Sequence, residues 1–225
     1  MKIYYQDEYL AVVCKPYGVL SEEHETKPNM PVLLREECGC ETVYPVHRLD
    51  RTTQGLMVYA KTAEAARRLS RAVQNGGVEK LYHAVVEGVP AEREGEMTDL
   101  LYYDRQKNKS FVVKRERRGV KQARLTYELL DTVWIEENPV SLIKVRLDTG
   151  RTHQIRVQFA SRRMPLVGDR RYGSRFADDE IMLCSAELSF IHPFTGEKLR
   201  FTCYPDNMLT SLFWQVYTEL EKAEK

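Results

Sequence analysis

The 225-residue chain has no apolar run approaching the ~18 residues that a membrane-spanning helix requires, and its opening decapeptide lacks a signal-peptide pattern. Its cysteines number only five, an odd count that cannot form a fully paired disulfide framework. Without a secretory signal they are expected to stay reduced. Nothing repeats at a fixed period, no segment is low in complexity, and no Gly/Ser/Pro-rich linker divides the chain. A surplus of one charge is missing too: 34 Lys and Arg nearly cancel 33 Asp and Glu, leaving +1. That balance excludes a disordered polyelectrolyte and an overtly basic DNA-coating protein. What is present is material for a core, 43% hydrophobic and 10% aromatic residues. This suffices without metal or disulfide staples. These features predict a cytoplasmic globular protein with no membrane partner, and one domain over residues 1–225.

The near-neutral total hides an uneven distribution. Residues 1–45 carry a net of −4 and residues 178–225 a net of −5. Between them, residues 105–124 hold nine basic side chains against Glu116 alone, and residues 146–175 hold eight Arg against Asp148 and Asp169. Two basic blocks between acidic ends are the electrostatic footprint of a polyanion site, although such runs also occur as solvated, salt-bridged faces. The Arg content of the second block favours phosphate, because a guanidinium forks onto phosphate oxygens better than an ammonium does.

Hydrophobic patterning predicts short strands at 2–5 and 10–14, then a Lys15-Pro16-Tyr17-Gly18 turn, and a buried strand at 55–60. Residues 62–74 read as a helix capped by Thr62, with Ala65, Leu69, Ala72 and Val73 on one face and Asn75-Gly76-Gly77 as its stop. Strands follow at 81–87, 123–134 and 140–147, a short helix at 152–161, strands at 181–191 and 198–204, and a last helix from about Asn207. Strands outnumber helices and several are consecutive, which predicts α+β with a largely antiparallel sheet.

Three segments are too polar for their apolar surroundings. His47-Arg48-Leu49-Asp50-Arg51-Thr52-Thr53-Gln54 runs straight into the buried strand. A carboxylate between Arg48 and Arg51 is expected to be held ionised and could serve as nucleophile or general base, or simply cap a turn. Thr149-Gly150-Arg151-Thr152-His153-Gln154-Ile155-Arg156 opens a helix with two Arg, and helix-start amides plus guanidinium groups suit phosphate or carboxylate. The turn at 165–173 carries Arg170 and Arg171 between two glycines.

In order along the chain, Lys15-Pro16-x-Gly18, His47-Arg48-Leu49-Asp50 with Thr53-x-Gly55-Leu56, and Lys80-Leu81-Tyr82-His83-Ala84-Val85 precede Leu147-x-Thr149-Gly150-Arg151-Thr152-His153-Gln154-Ile155-Arg156. The 165–173 turn and Leu188-x-Phe190-x-His192-Pro193-x-Thr195-Gly196 complete the series. This ordered set, spanning residues 15–197, resembles the RluA family of RNA pseudouridine synthases. The resemblance implies a mixed, largely antiparallel central sheet with flanking helices and a catalytic cleft. It also implies isomerisation of uridine to pseudouridine in ribosomal or transfer RNA stem-loops. No cofactor or metal is expected, since the N-glycosidic bond is broken and a C–C bond remade with no net loss of atoms. No obligatory protein partner is implied, and a monomer is expected.

By the same resemblance Asp50 is the carboxylate that stabilises positive charge on the sugar. Tyr82 is the ring that stacks on uracil and takes part in proton transfer. Arg156 pairs with the catalytic carboxylate. Arg48 fills the space of the flipped nucleotide, offsetting part of an unstacking cost of a few kcal/mol. Arg51, Arg151, His153, Arg170 and Arg171 are candidate substrate contacts, with His47 and His153 expected to act chiefly as hydrogen-bonded scaffold. Gln54 departs from the family's usual Ser, and the early first strand leaves no room for an N-terminal RNA-binding domain. Cys38-Gly39-Cys40 has no second Cys pair, which counts against a zinc site. Two rival functions remain: an RNA-binding or ribosome-assembly factor on the same scaffold, and a glycosylase that releases free uracil.

Overall fold

The computed structural model describes residues 1–176, 180–204 and 211–223. Its strands in chain order are β1 (Lys2–Gln6), β2 (Leu10–Lys15), β3 (Tyr44–Pro45), β4 (Gln54–Ala60), β5 (Val78–Glu87) and β6 (Glu94–Asp104). They continue with β7 (Lys109–Val113), β8 (Val120–Ile135), β9 (Asn138–Leu147), β10 (Leu183–Ile191) and β11 (Lys198–Thr202). The helices are α1 (Met30–Cys38), α2 (Ala63–Gln74), α3 (Gln154–Ser161) and α4 (Trp214–Ala223), with a 3-10 turn at Arg170–Tyr172. These elements form two compact units, residues 1–80 with 184–205, and residues 81–183 with 206–225.

In the first unit β2 pairs antiparallel with β1 on one side and β4 on the other, placing Cys14 opposite Leu56 and Lys15 opposite Gly55. β10 joins β4 in parallel through Cys184–Gln54 and Ser185–Gly55, and β11 pairs antiparallel with β10. Every residue of β4 from Gly55 to Ala60 is buried, which explains its unbroken apolar run: a strand covered on both faces has no polar side to alternate with. Helix α2 starts as expected, with the Thr62 hydroxyl accepting from the Ala65 amide at 3.1 Å. Its Ala65 and Leu69 pack into a cluster with Leu10, Val12, Leu56, Val58, Leu188 and Phe190. Sequence patterning missed α1, which is only nine residues long. Its signals are local: Asn29 caps it through the Val32 amide, Pro31 sits in its first turn, and Gly39 ends it at φ 60°.

In the second unit β5, β9, β8, β6 and β7 follow one another, all antiparallel. Register puts Tyr82 opposite Val145, Val145 opposite Tyr127, and Tyr127 opposite Gly95. Helix α3 packs here, the Phe159 ring edge-on to Tyr127 at 5.8 Å. The expected strands in this region are present, β8 and β9 longer than their patterns suggested. The basic stretch 105–124, read as charge without structure, contains β7 and the start of β8. The strands tolerate Lys109, Lys121 and Arg124 because long side chains keep their charges in water while their stems pack. α3 begins at Gln154, not 152, because His153 sits at φ 55°, outside the helical region. The expected helix start at Asn207 lies outside the described residues; α4 is present further on. Among the described residues no helix is long and apolar enough to cross a membrane.

Gly55 adopts φ +112°, and a Cβ there would collide with the Ser185 backbone, its amide nitrogen lying 2.6 Å away. Left-handed strain and overpacking add, so Gly55→Ala is expected to destabilise by about 2–5 kcal/mol. Thermal denaturation should show Tm lower by roughly 5–15 °C. An unchanged Tm would refute the close approach of β4 and β10.

Candidate active site

The loop between β3 and β4 carries Asp50, and its backbone is held by the Lys-Pro-Tyr-Gly turn that ends β2. The Gly18 amide donates to the Arg51 carbonyl at 2.9 Å, and Arg51 Nε returns a bond to the Gly18 carbonyl at 3.1 Å. Lys15, fully buried, aims its ammonium at the carbonyls of Pro16 and Val19, each 2.8 Å away, with that of Arg51 at 3.4 Å. On the other flank Ser21 Oγ accepts from the Leu49 amide at 3.0 Å and donates to the Leu49 carbonyl at 2.8 Å. The Tyr59 hydroxyl then donates to the Ser21 carbonyl at 2.9 Å. Asp50 closes its own turn by accepting the Thr53 amide on its carbonyl at 3.0 Å. A residue clamped from both sides has lost its conformational freedom before any ligand arrives, which is what a positioned carboxylate requires.

Burial drives the Lys15 ammonium down to about 8, opposed by attraction to the Asp50 carboxylate. At neutral pH it is therefore still charged, a buried cation neighbouring the candidate carboxylate. His47 accepts the Val58 amide on Nε2 at 3.2 Å. Burial and then the Lys80 charge push it far below the usual histidine range, so it stays neutral and holds β4, as a scaffold histidine should. Arg48 is two-thirds exposed in a 2.9 Å ion pair with Glu22. An exposed pair of this kind contributes only about 0–1 kcal/mol, so the guanidinium is free to exchange partners. Arg51 is exposed apart from its bond to Gly18. Gln54 stands at the start of β4 opposite Cys184, and its amide nitrogen is buried without a hydrogen-bond partner among the described residues.

The remaining candidates belong to the second unit. Tyr82 is buried on β5. Arg156, on α3, is buried and makes a fork-to-fork pair with buried Asp169, Nε to Oδ2 at 2.6 Å and Nη2 to Oδ1 at 2.9 Å. Two parallel bonds fix the guanidinium plane, and removing one partner of such a buried pair typically costs about 3–5 kcal/mol. The Tyr172 ring lies 5.1 Å from that guanidinium, and its hydroxyl meets His153 Nδ1 at 3.0 Å. The same hydroxyl accepts the Ser110 amide at 2.8 Å, while burial raises its pKa to about 12. His153 is thus tied into the framework. Sequence reading passed over Asp169 and Tyr172, although an acid among the arginines of the 165–173 turn was the available signal.

The two basic blocks meet in this unit. Arg171 Nη1 donates to the Lys107 and Asn108 carbonyls at 3.0 and 2.8 Å, and Lys109 Nζ donates to the Arg171 carbonyl. Arg151 Nε donates to the Gln122 carbonyl at 3.0 Å, and the Ser110 hydroxyl donates to the Thr152 carbonyl. These bonds gather basic residues of the β6–β7 turn, the start of α3 and the 3-10 turn into one cluster, with Arg170 and Arg171 exposed on it. Arg124 and Arg162 nearby are paired with Glu96 and Asp99. Like charges gathered this way focus the field on an anion.

A family model described as RNA pseudouridylate synthase matches residues 9–161. A protein of Vibrio parahaemolyticus named tRNA pseudouridine synthase C is 33% identical, the match covering 95% of this chain and 94% of the relative. An Aquifex aeolicus protein named uncharacterized RNA pseudouridine synthase is 36% identical over 89% of this chain and 68% of its own length. Among solved structures, human RNA pseudouridylate synthase domain containing 1 superposes with a TM-score of 0.77 at 24% identity, covering 93% of this chain and 85% of that one. The last likeness establishes the fold.

A lysine titrating near 8 when folded and near 10.5 when unfolded binds fewer protons in the native state between those values. Stability contributed by this group therefore rises with pH across that window and is flat below it. Urea denaturation of wild type and Lys15→Met should show their difference shifting in favour of wild type by about 2 kcal/mol from pH 8 to 9.5. Parallel profiles would show that Lys15 is not buried as a cation.

Proposed function

The chain belongs to the RNA pseudouridylate synthase family, and we propose that it converts uridine in a transfer RNA stem-loop to pseudouridine with Asp50 as the catalytic carboxylate. The observation that carries this reading is the clamped Asp50 loop, with the Lys15 ammonium and the Gly18 backbone locked onto Arg51. The reaction breaks the bond between N1 and C1′, turns the uracil over and joins C5 to C1′; C5 loses its proton and N1 gains one, so the product is an isomer. Positive charge grows on the sugar as the first bond breaks, and a fixed carboxylate stabilises it best when it need not reorganise. Transfer RNA is favoured by the names of the relatives, several of which are called tRNA pseudouridine synthase C.

In this proposal Tyr82 stacks on the target uracil, and Arg156, its plane set by Asp169, pairs with the catalytic carboxylate. Arg48 leaves its weak pair with Glu22 to occupy the gap of the flipped nucleotide. Arg51, Arg151, His153, Arg170 and Arg171 meet the phosphates and sugars around it. Loop uridines suit such a site because they are already poorly stacked and cost less to flip. Residues 1–225 act as one catalytic domain, working as a monomer in the cytoplasm.

Asp50→Asn is expected to reduce pseudouridine formation in total transfer RNA to the uncatalysed background while RNA affinity stays near wild type. Wild-type turnover by this variant would sink the assignment. RNA of unchanged mass, without abasic sites, distinguishes isomerisation from uracil release. With four or five phosphate contacts, affinity should fall by about 50- to 500-fold between 50 and 200 mM salt. Salt-independent binding would remove the role given to the basic cluster.

A further inference from the structure

Three of the five cysteines converge inside the first unit. Cys14 on β2 faces Leu56 of β4, and Cys184 on β10 faces Gln54 of the same strand. Residues two apart on a strand share a face, so both thiols project to the same side of β4. Cys203, just past β11, is anchored by its amide to the Ala186 carbonyl at 2.8 Å and brings its sulfur 3.1 Å from that of Cys14. A disulfide bond is about 2.05 Å long, so the two sulfurs need to close by only about 1 Å. The other two cysteines, Cys38 and Cys40, flank the end of α1 at Gly39.

We propose that Cys14 and Cys203 are an oxidation site, joined into a reversible disulfide when the protein meets a two-electron oxidant of the hydroperoxide class. Cys203 is the sulfur oxidised first, its thiolate attacking a peroxide oxygen. The Cys14 and Cys184 thiols and the Tyr4 hydroxyl all hydrogen-bond to it, and Lys2 adds positive charge, an arrangement that favours its thiolate. The thiolate takes one oxygen from hydrogen peroxide and becomes a sulfenic acid, and the departing hydroxide gains a proton to leave as water. The Cys14 sulfur then attacks the Cys203 sulfur and loses its proton, and a second water departs as the S–S bond forms. The two thiols have lost two electrons and the peroxide has gained them. Cys14 is partly exposed, which gives a small oxidant a route to the buried Cys203.

Nothing in the geometry favours a metal instead: among the described residues no group of three or more His, Cys, Asp or Glu side chains is placed to hold an ion. The bond would tie β2, one residue before the buried Lys15, to a position 189 residues further along the chain. A crosslink closing so long a loop restricts the unfolded state strongly. The oxidised protein is therefore the more stable form. This chemistry is independent of the reaction at uridine.

The test treats the full-length reduced protein with a small molar excess of hydrogen peroxide, quenches it with an alkylating agent and maps its peptides without reduction. The expected result is an intact mass lower by two hydrogens and one crosslink between the peptides of Cys14 and Cys203, reversed by dithiothreitol. Tm should rise by about 5–10 °C on oxidation. Cys14→Ser and Cys203→Ser should each abolish crosslink and shift, whereas Cys38→Ser combined with Cys40→Ser should keep both. A crosslink confined to Cys38–Cys40 or to Cys184–Cys203 would overturn the proposal. So would sulfinic or sulfonic acids at unlinked Cys14 and Cys203.

Discussion

A single buried ammonium governs the first unit. Lys15 ends a strand of small and aliphatic residues, and its charge has no water to turn to. Burying it is tolerable only because three carbonyls converge on it and the Asp50 carboxylate lies within its field. Those carbonyls belong to the turn at 16–19 and to Arg51, so satisfying the lysine also fixes the loop that presents Asp50. Gly18 and Gly55 contribute at either end, one through the reciprocal bonds to Arg51 and the other by letting β4 and β10 touch. The Lys-Pro-x-Gly and His-Arg-Leu-Asp segments, thirty residues apart in the chain, are thereby one physical object.

The second unit applies the same logic with the charges exchanged between helix and turn. Arg156 could not be buried on α3 without a carboxylate of matching geometry, and Asp169 supplies both oxygens. Tyr172 and His153 close the surroundings, so the guanidinium is rigid as well as charged. Around this neutralised core Arg170 and Arg171 stay at the surface. The division suits the proposed activity: buried charges set orientation, and exposed ones are available to a polyanion whose affinity comes mainly from its phosphates.

Much of this was legible from residue order alone. Helix α2 announced itself through Thr62 and its apolar face, and β4 through an unbroken apolar run. The ordered motifs led to the family that the comparisons establish. Other parts were silent for physical reasons. α1 is too short for periodicity to emerge. β6 and β7 form a largely half-buried hairpin whose mixed polar and apolar residues do not alternate cleanly. Asp169 was counted only as a charge in a turn noted for its arginines, because a salt-bridge partner is defined by direction in space and not by spacing along the chain.

The order of the motifs was enough to point to the family, and the chemistry followed from that resemblance. A carboxylate among arginines, an aromatic on a strand and a basic middle between acidic ends did not name it by themselves. Folding settled which of those charges are buried and with whom. It paired Arg156 with Asp169, set Lys15 against the Arg51 carbonyl, joined the two basic blocks, and brought Cys14 within 3.1 Å of Cys203. These contacts join residues from 13 to 189 positions apart in the chain, and at Arg156 and Lys15 burial makes the partner choice costly to get wrong. Local propensity carries no record of such pairings, because they exist only where strands and turns distant in sequence are packed against one another without water between them.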